Sequence, residues 1–343
     1  MSRIRILSLL LSVLLLLTGC TAPALTGPKQ YTATFLTLFD TVTTIVGTAE
    51  SETAFREQAQ AVHDTLLVYH QLFDIYHDYD GINNLKTVND AAGGAPVAVD
   101  DAIIALLSDC KTYYDLTGGR VNVAMGSVLR LWHNAREDGM NDPANAALPD
   151  ADALRTAAEH TSLDALIIDA AAGTVYLSDP EMSLDVGAVA KGWAAQRAAE
   201  TAPAGMLISV GGNVCATGPK DEAGTPWVVG IQNPDSSSEN LHTLNLTSGC
   251  VVTSGDYQRL YYVDGIAYHH IIDPDTRYPA RHWSSVTIVC EDSGLADALS
   301  TALFLLPQSE GQVLLEECDA EAMWVDSEGT IFYSPGFEEL IRT

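Results

Sequence analysis

No two cysteines stand in C-x-x-C spacing, which removes the zinc and dithiol motifs carried by that pattern. The chain has 6 cysteines. Cys20 stands near the N-terminus, whereas most of Cys110, Cys215, Cys250, Cys290 and Cys318 sit in apolar surroundings that suit small buried hydrophobes. The odd number of these later cysteines excludes a complete disulfide framework. It leaves room for one bridge, whose partners the sequence does not name. Basic residues are also scarce: 17 Lys and Arg face 45 Asp and Glu, a formal net charge of −28. Such a surface repels nucleic acid and anionic headgroups. An anionic ligand therefore needs a local site built from backbone donors, a few bases or a divalent cation. There is no G-x-G-x-x-G, so no dinucleotide-binding Rossmann unit is expected. Repeats, low-complexity tracts and any apolar span beyond the N-terminal one are absent too.

What is present is globular composition, 47% hydrophobic and 18% charged over 343 residues, enough for one large domain or two lobes. Arg3 and Arg5 precede an apolar run from Ile6 to Leu17, followed by Leu17-Thr18-Gly19-Cys20. The run is too short to span a bilayer and ends in small residues, as an export signal does. L-T-G-C resembles a bacterial lipobox, which implies cleavage before Cys20 and a lipid on its sulfur; the alternative is an ordinary signal peptide with an incidental cysteine. Residues 1–19 then form a leader and residues 20–30 a flexible tether. The protein would be lipid-anchored to the cell membrane on its extracytoplasmic face.

Along the remainder, alternation predicts one strand over Tyr31–Thr48, bent near Asp40. Apolar spacing predicts a helix over Glu50–Ile75, then an irregular loop over Tyr76–Asn89. A helix over Asp100–Leu116 is capped by Asp100 or Asp101 and ended by Thr117-Gly118-Gly119. Val121–Trp132 is apolar, His133–Pro149 reads as a polar insertion, and Asp150–Thr161 as helix. Leu163–Leu177 reads as a hairpin. Strands are expected over Met206–Val214, Trp227–Gln232, Leu241–Asn245, Cys250–Thr253 and Ser284–Glu291, with a loop over Asn233–Asn240. Arg259–Val263 and Ile266–Ile272 form a hairpin around Asp264-Gly265. Helices over Gly294–Leu306 and Gln308–Glu317 precede a closing hairpin. Tight turns between adjacent strands favour an α+β fold with antiparallel pairs over a doubly wound parallel sheet.

Five stretches carry candidate chemistry. Ser183–Glu200 reads as a short strand, a break at Gly187 and an alanine-rich helix, with Asp185 before the break and Lys191 just inside the helix. Bare N–H groups at a helix entrance favour anions, so the stretch is either a phosphate site or a packed βα turn. In Ala296–Leu303, Asp297 and Thr301 are four apart and share one helix face. They are hard oxygen ligands suited to Mg²⁺, or an acid favoured by the first helical turn and a threonine packed by its methyl. Around Thr253-Ser254-Gly255 and His269-His270, small residues present hydroxyls and backbone. Adjacent histidines in a strand point to opposite faces, so only one can serve a site as a base. Gly211 and Gly212 end a strand where a flat ligand or phosphate can approach, or mark a simple turn. Tyr76 stands in a loop where it stacks on a flat ring or closes the core.

The order of F-D-T-V-T-T-I, the D-I-Y…N loop, T-G-G-R-V-N-V-A-M-G, L-D-V-G-A-V-A-K-G, I-S-V-G-G-N, T-S-G-D-Y-Q-R, H-H-I-I-D-P-D-T and A-D-A-L-S-T-A-L resembles the FAD:protein FMN transferase family, the ApbE flavin transferase lipoproteins. The resemblance runs from Tyr31 to the C-terminus and makes residues 31–343 a catalytic domain. It implies a T-fold-like core of antiparallel sheets flanked by helices, in two lobes with the flavin site between them. It implies transfer of FMN from FAD, as substrate, to a Ser or Thr of an exported redox protein, with Mg²⁺ and release of AMP. FAD hydrolysis and non-catalytic flavin binding are the alternatives. By the same resemblance Asp297, Thr301 and the backbone at Gly187-Ala188 hold the metal, with Ala188 supplying the ligand. Asp185, Lys191, Gly192, Gly211, Gly212, Thr253, Ser254, Gly255, Asp273 and Tyr76 line the flavin site, and His270 acts near the attacked phosphate with Asp297. The chain departs from the family at Phe39-Asp40-Thr41 for Met-Gly-Thr, at Arg277 for the glycine of D-P-x-T-G, and at Asp74 for a loop serine. It holds no acceptor motif of the D-G-x-[ST]-G-A-[ST] type, so the acceptor is another protein.

Overall fold

The computed structural model describes residues 28–343. The leader and the Cys20 lipidation site lie outside the described residues. In chain order the elements are β1 (Lys29–Leu38), β2 (Thr41–Ala49), α1 (Glu52–Phe73), α2 (Leu85–Asp90), β3 (Val97–Ala98), α3 (Asp101–Leu116), α4 (Gly126–Asn141) and α5 (Ala151–Ala157). There follow β4 (Leu166–Asp169), β5 (Thr174–Leu177), α6 (Ala190–Thr201), β6 (Met206–Val210), β7 (Asn213–Ala216), β8 (Trp227–Asn233), β9 (Ser236–Leu246) and β10 (Gly249–Gly255). The last are β11 (Leu260–Val263), β12 (Ile266–His269), β13 (Ser285–Cys290), α7 (Ser293–Leu305), α8 (Gln308–Glu316), β14 (Glu321–Val325) and β15 (Ile331–Tyr333).

An eight-stranded sheet in the order β1-β2-β6-β7-β10-β13-β14-β15 forms the centre, and every neighbouring pair is antiparallel. Helices α1, α6 and α7 pack on one face, and the β8–β9 ribbon supplies apolar side chains to the other. A small β3-β5-β4 sheet and the β11–β12 ribbon stand apart from the main sheet. The α+β expectation of antiparallel sheets flanked by helices holds.

Local chemistry accounts for most of these elements. Helix α1 buries Phe55, Ala59, Val62, Leu66 and Phe73 at helical spacing, and the Ser51 hydroxyl accepts from Ala54 N at 3.2 Å. Asp100 caps α3 through Ala102 N and Asp292 caps α7 through Leu295 N. Helix α7 is mostly apolar and is buried almost throughout, wedged between the sheet and α6, with Asp297 and Ser300 among its buried residues.

Five expectations need correction. The single strand over Tyr31–Thr48 is a hairpin, because Phe39 and Asp40 both adopt positive φ, 52° and 51°, and turn the chain back on itself. That is the backbone of a two-residue hairpin turn, usually built with glycine or asparagine, so its sequence signal is weak here. Residues 133–141 are not an insertion but the second half of α4, and α2 forms inside the expected loop over Tyr76–Asn89. The expected loop over Asn233–Asn240 is mostly strand, since β9 begins at Ser236 and pairs back to Asn233. Finally, Ser183–Val186 joins no sheet as a strand. Its only ladder contact is a bridge from Ser183 to Met125.

Candidate functional site

The Ser183–Val186 backbone stays extended because a side chain pairs with it. Asn89 Oδ1 accepts from Leu184 N at 2.7 Å and its Nδ2 donates to Leu184 O at 2.9 Å. Asp185 N donates to Val123 O, tying the stretch to the V-N-V-A-M-G segment. The chain then turns: Gly187 N donates to Asp185 Oδ1 at 2.8 Å, Ala190 N reaches Val186 O, and α6 begins with no side-chain cap. Gly187 is exposed and Ala188 half-buried, so the turn presents backbone at its surface.

Helix α7 crosses α6 at this turn. Asp297 is only 3% exposed, and its Oδ2 accepts from Gly192 N at 2.9 Å and lies 3.4 Å from Lys191 Nζ. Lys191 Nζ also reaches Gly187 O at 3.4 Å. Both contacts to Asp297 fall on Oδ2. A buried carboxylate requires partners of this kind. The crossing is close because Gly192 has no side chain: a Cβ there would stand 2.2 Å from Ser293 O. Thr301 is half-buried one turn after Asp297 on α7. Among the described residues no three His, Cys, Asp or Glu side chains gather to hold a metal. A cation at this crossing would rest on one carboxylate, a hydroxyl and backbone oxygen, a donor set that suits a hard, partly hydrated ion such as Mg²⁺.

The two histidines differ in their surroundings, His269 closing β12 and His270 following it. His269 Nδ1 accepts from Ile271 N at 3.1 Å, so its Nε2 carries the proton and donates to Ala280 O at 2.7 Å. Both of its nitrogens are satisfied, and it packs edge-on against Phe304. The buried Nδ1 of His270 has no partner. Burial first, then the charges of Arg259, His269, Lys191 and Arg136, push its pKa down to about 3. His270 is therefore neutral and able to accept a proton. Burial pushes His269 down to about 4.

Asp185 lies in the same electrostatic neighbourhood: burial pushes its carboxyl up, opposed by Gly187 N–H, His133 and Arg259. Tyr76 is 49% exposed and stacks on His133, with ring centroids 5.1 Å apart. Burial and then the Asp185 charge push its phenol up to about 12. Asp74, where the resembling family has serine, builds this loop: Oδ1 accepts from Tyr76 N and His77 N, and Oδ2 from the Tyr79 hydroxyl at 2.8 Å.

The remaining candidates occupy three places. Ser254 Oγ bonds Ser300 Oγ at 2.8 Å, and Ser300 Oγ donates to Asp297 O, so the end of β10 is tied to α7 beside Asp297. The Thr253 hydroxyl pairs with Thr287, and Gly255 lies against the Tyr257 ring. Gly211 and Gly212 are the turn of the β6–β7 hairpin, with φ of 60° and 97°, and Gly211 packs against Thr41 of the first hairpin. Asp273 Oδ1 accepts from Asp275 N and Thr276 N, closing the D-P-D-T turn, where Arg277 takes the positive φ that glycine would take. His133, Arg136, Arg259 and Asn89 were not singled out from the sequence. The first two sit in the stretch read as an insertion; recognising α4 brings His133 and Arg136 onto one helix, three apart.

The neutral histidines make stability fall with acid. Their folded pKa values, about 4 and about 3, lie below the ordinary 6.5. The unfolded chain therefore binds more protons below that value, and stability drops as pH falls from 6.5 towards the folded values. At about pH 5 the pair is expected to cost about 4 kcal/mol relative to neutral pH. Urea unfolding at a series of pH values should show a slope that flattens in His270→Asn; an equal slope in the variant would contradict the assignment.

Residues 39–324 match the model of the ApbE family. A Treponema pallidum protein named FAD:protein FMN transferase is 34% identical over 277 residues, covering 75% of each chain. A Klebsiella pneumoniae protein of the same name is 30% identical over 275 residues, covering 77% of this chain and 83% of that one. The crystal structure of the ApbE protein of Thermotoga maritima superimposes with a TM-score of 0.81 at 29% identity, over 92% of this chain and all of the other. The flavin transferase ApbE of Vibrio cholerae has the same fold, with a TM-score of 0.75 at 21% identity. With most of its length matched in sequence and in fold, the chain belongs to the ApbE family.

Proposed function

We propose that this chain is an FAD:protein FMN transferase, and that the crossing of α6 and α7 is where FMN leaves FAD for a hydroxyl of a partner protein. The observation that carries the reading is the buried Asp297 held against the Gly187–Gly192 turn, with a proton-accepting His270 among Lys191, Arg136 and Arg259. These are locally clustered bases on a chain of net charge −28, as binding an anionic pyrophosphate requires. The names and lengths of the matched relatives support the same activity.

In the proposed reaction a Ser or Thr hydroxyl of the acceptor attacks the phosphorus on the FMN side of the pyrophosphate. A new P–O bond forms to the acceptor, the P–O bond to the AMP phosphate breaks, and AMP departs with that oxygen. His270 takes the hydroxyl proton. Its depressed pKa in the free protein makes it a weak base, and the negative charge of bound FAD raises it towards a useful range. Lys191, Arg136 and Arg259 orient and neutralise the phosphates. Mg²⁺, held by Asp297, Thr301 and the Ala188 carbonyl, would supply further charge neutralisation of the pyrophosphate. Asp185 and Tyr76 would bind on the flavin side. A lipid on Cys20 would hold the enzyme on the outer face of the cell membrane, within reach of exported redox proteins.

The test is a transfer assay with the full-length chain, FAD, Mg²⁺ and an acceptor domain bearing a D-G-x-[ST]-G-A-[ST] segment. The expected result is the mass of FMN on the acceptor with one AMP released per flavin, reduced at least about tenfold in His270→Asn. Free FMN and AMP without labelled acceptor would show a hydrolase instead, and bound FAD with no AMP would show a flavin carrier.

A further inference from the structure

Cys215, Cys250 and Cys290 are opposed across three adjacent strands, β7, β10 and β13, and all are buried with free thiols. The ladder and the directions of the side chains together decide which two join. The turn Gly211-Gly212 makes Val210 and Asn213 the hydrogen-bonded pair that closes the β6–β7 hairpin. Antiparallel pairs alternate, so Ile208–Cys215 is the next hydrogen-bonded pair, and Thr217 N donating to Met206 O at 2.9 Å continues the same phase. The backbone polar groups of Cys215 therefore point to β6. Towards β10, Cys215 and Cys250 form a non-hydrogen-bonded pair, the kind whose Cα atoms stand about 4.5 Å apart. That separation lies within the roughly 4.4–6.8 Å that a disulfide spans. On its other side Cys250 meets Cys290 as a hydrogen-bonded pair, a phase that Asp256 N donating to Ser284 O also requires. Such pairs are wider.

The side chains follow the same division. Cys250 Sγ lies 3.2 Å from Cys215 Sγ, whereas Cys290 Sγ turns away to Asp292 O at 3.2 Å. We infer that Cys215 and Cys250 are a disulfide site, a cross-strand bond at the centre of the main sheet, with Cys290 left reduced. The oxidant is a small-molecule or protein disulfide. Its two sulfurs take the two electrons and are released as two thiols, which carry off the two protons of Cys215 and Cys250 as the new S–S bond forms. In the folded protein the hydrogen bond with Cys215 and then burial push the Cys250 thiol well above its ordinary range. A thiolate is the species that exchanges, so the bond forms while β7 and β10 are pairing, and once buried it resists reduction. It closes the chain around the whole β8–β9 ribbon. It also braces the sheet next to Gln196 of α6, whose Oε1 accepts from Ser293 N at the start of α7. The inference does not depend on the proposed transfer reaction.

The full-length chain, unfolded and refolded in a glutathione redox buffer, then alkylated in denaturant and digested without reduction, provides the test. The expected result is the Cys215 peptide linked to the Cys250 peptide, with Cys290 alkylated and the link retained in Cys290→Ser. Reduction should then lower the melting midpoint by several degrees. Alkylated Cys215 and Cys250 in the wild-type chain, or a link from Cys250 to Cys290, would overturn the assignment. Because the mapping is made on the wild-type chain, it stands even where a serine variant folds poorly.

Discussion

Asp297→Asn is expected to lower Mg²⁺-dependent transfer of FMN by at least about a hundredfold while FAD still binds, the scale set by losing one charged group that acts on the transition state. The substitution removes charge with little change of shape. An asparagine Oδ1 still accepts from Gly192 N, which now bonds Asp297 Oδ2 at 2.9 Å, so the helix crossing survives. What is lost is the carboxylate of the proposed cation site, and among the described residues no cluster of three His, Cys, Asp or Glu stands by to replace it. The prediction separates two roles for the residue. If Asp297 serves only to pair with Lys191 and Gly192, the asparagine variant keeps its activity and its Mg²⁺ dependence. If it holds the cation, the rate falls and more Mg²⁺ restores part of it. Asp297→Ala should do further damage, because Gly192 N–H is then buried without an acceptor, at a cost of about 1–3 kcal/mol. Rates of FMN incorporation over a Mg²⁺ titration, beside FAD binding by fluorescence, distinguish these outcomes. Unchanged rates in Asp297→Asn would remove the metal assignment.

The parts of the fold visible in the sequence were those with a strong local cause. Helix α1 carries its apolar residues at helical spacing and opens on a capping serine, and the Asp264-Gly265 turn is a regular hairpin signal. The first hairpin was hidden because Phe39-Asp40 is an unusual pair for two successive positive φ values. Helix α4 was hidden because its second half is polar. Its apolar side, Val128 and Trp132, faces a small satellite core with Tyr261 and Leu154, distant in sequence. The strand expected at Ser183–Val186 failed for a different reason. Its backbone partner is the side chain of Asn89, 95 residues away from Leu184, and no periodicity reports a contact of that kind.

The site divides in the same way. Asp297, Thr301, Lys191 and the turn at Gly187 were marked by charge and glycine in apolar or alanine-rich surroundings, and α6 and α7 do cross where those residues lie. His270 could be narrowed to one of two by strand alternation, but only the packing of His269 against Ala280 and Phe304 chooses between them. Arg136 and Arg259 could not be chosen from the sequence. A surface arginine and one aimed at a cleft look identical until the elements that carry them are assembled. The resemblance marks Gly192 as lining the ligand, and its position adds a second role that follows from having no side chain.

That role gives the other large effect, in Gly192→Ala. Alanine is the better helix former, by up to about 1 kcal/mol in a helix interior, so propensity alone favours the variant in the first turn of α6. Sterics oppose it. The new Cβ would lie 2.2 Å from Ser293 O and 2.5 Å from Asp297 Cβ, with Ser293 C at 3.0 Å. Two of those atoms are backbone at the start of α7, so no flexible side chain can move aside. The helices must separate, and overpacking of a buried contact costs about 1–3 kcal/mol even after relaxation. We therefore expect a net loss of stability despite the better helix former, read as a lower urea midpoint. Separation also lengthens the bond from Gly192 N to Asp297 and draws Lys191 away, so transfer should fall with stability. Gly187→Ala is the control. Its Cβ would meet only Asp185 Oδ1, at 3.0 Å, in an exposed turn, and the Asp185 side chain can adjust. Equal midpoints for Gly192→Ala and the wild type, with transfer unchanged, would mean that the crossing is not as tight as the geometry at Ser293 requires.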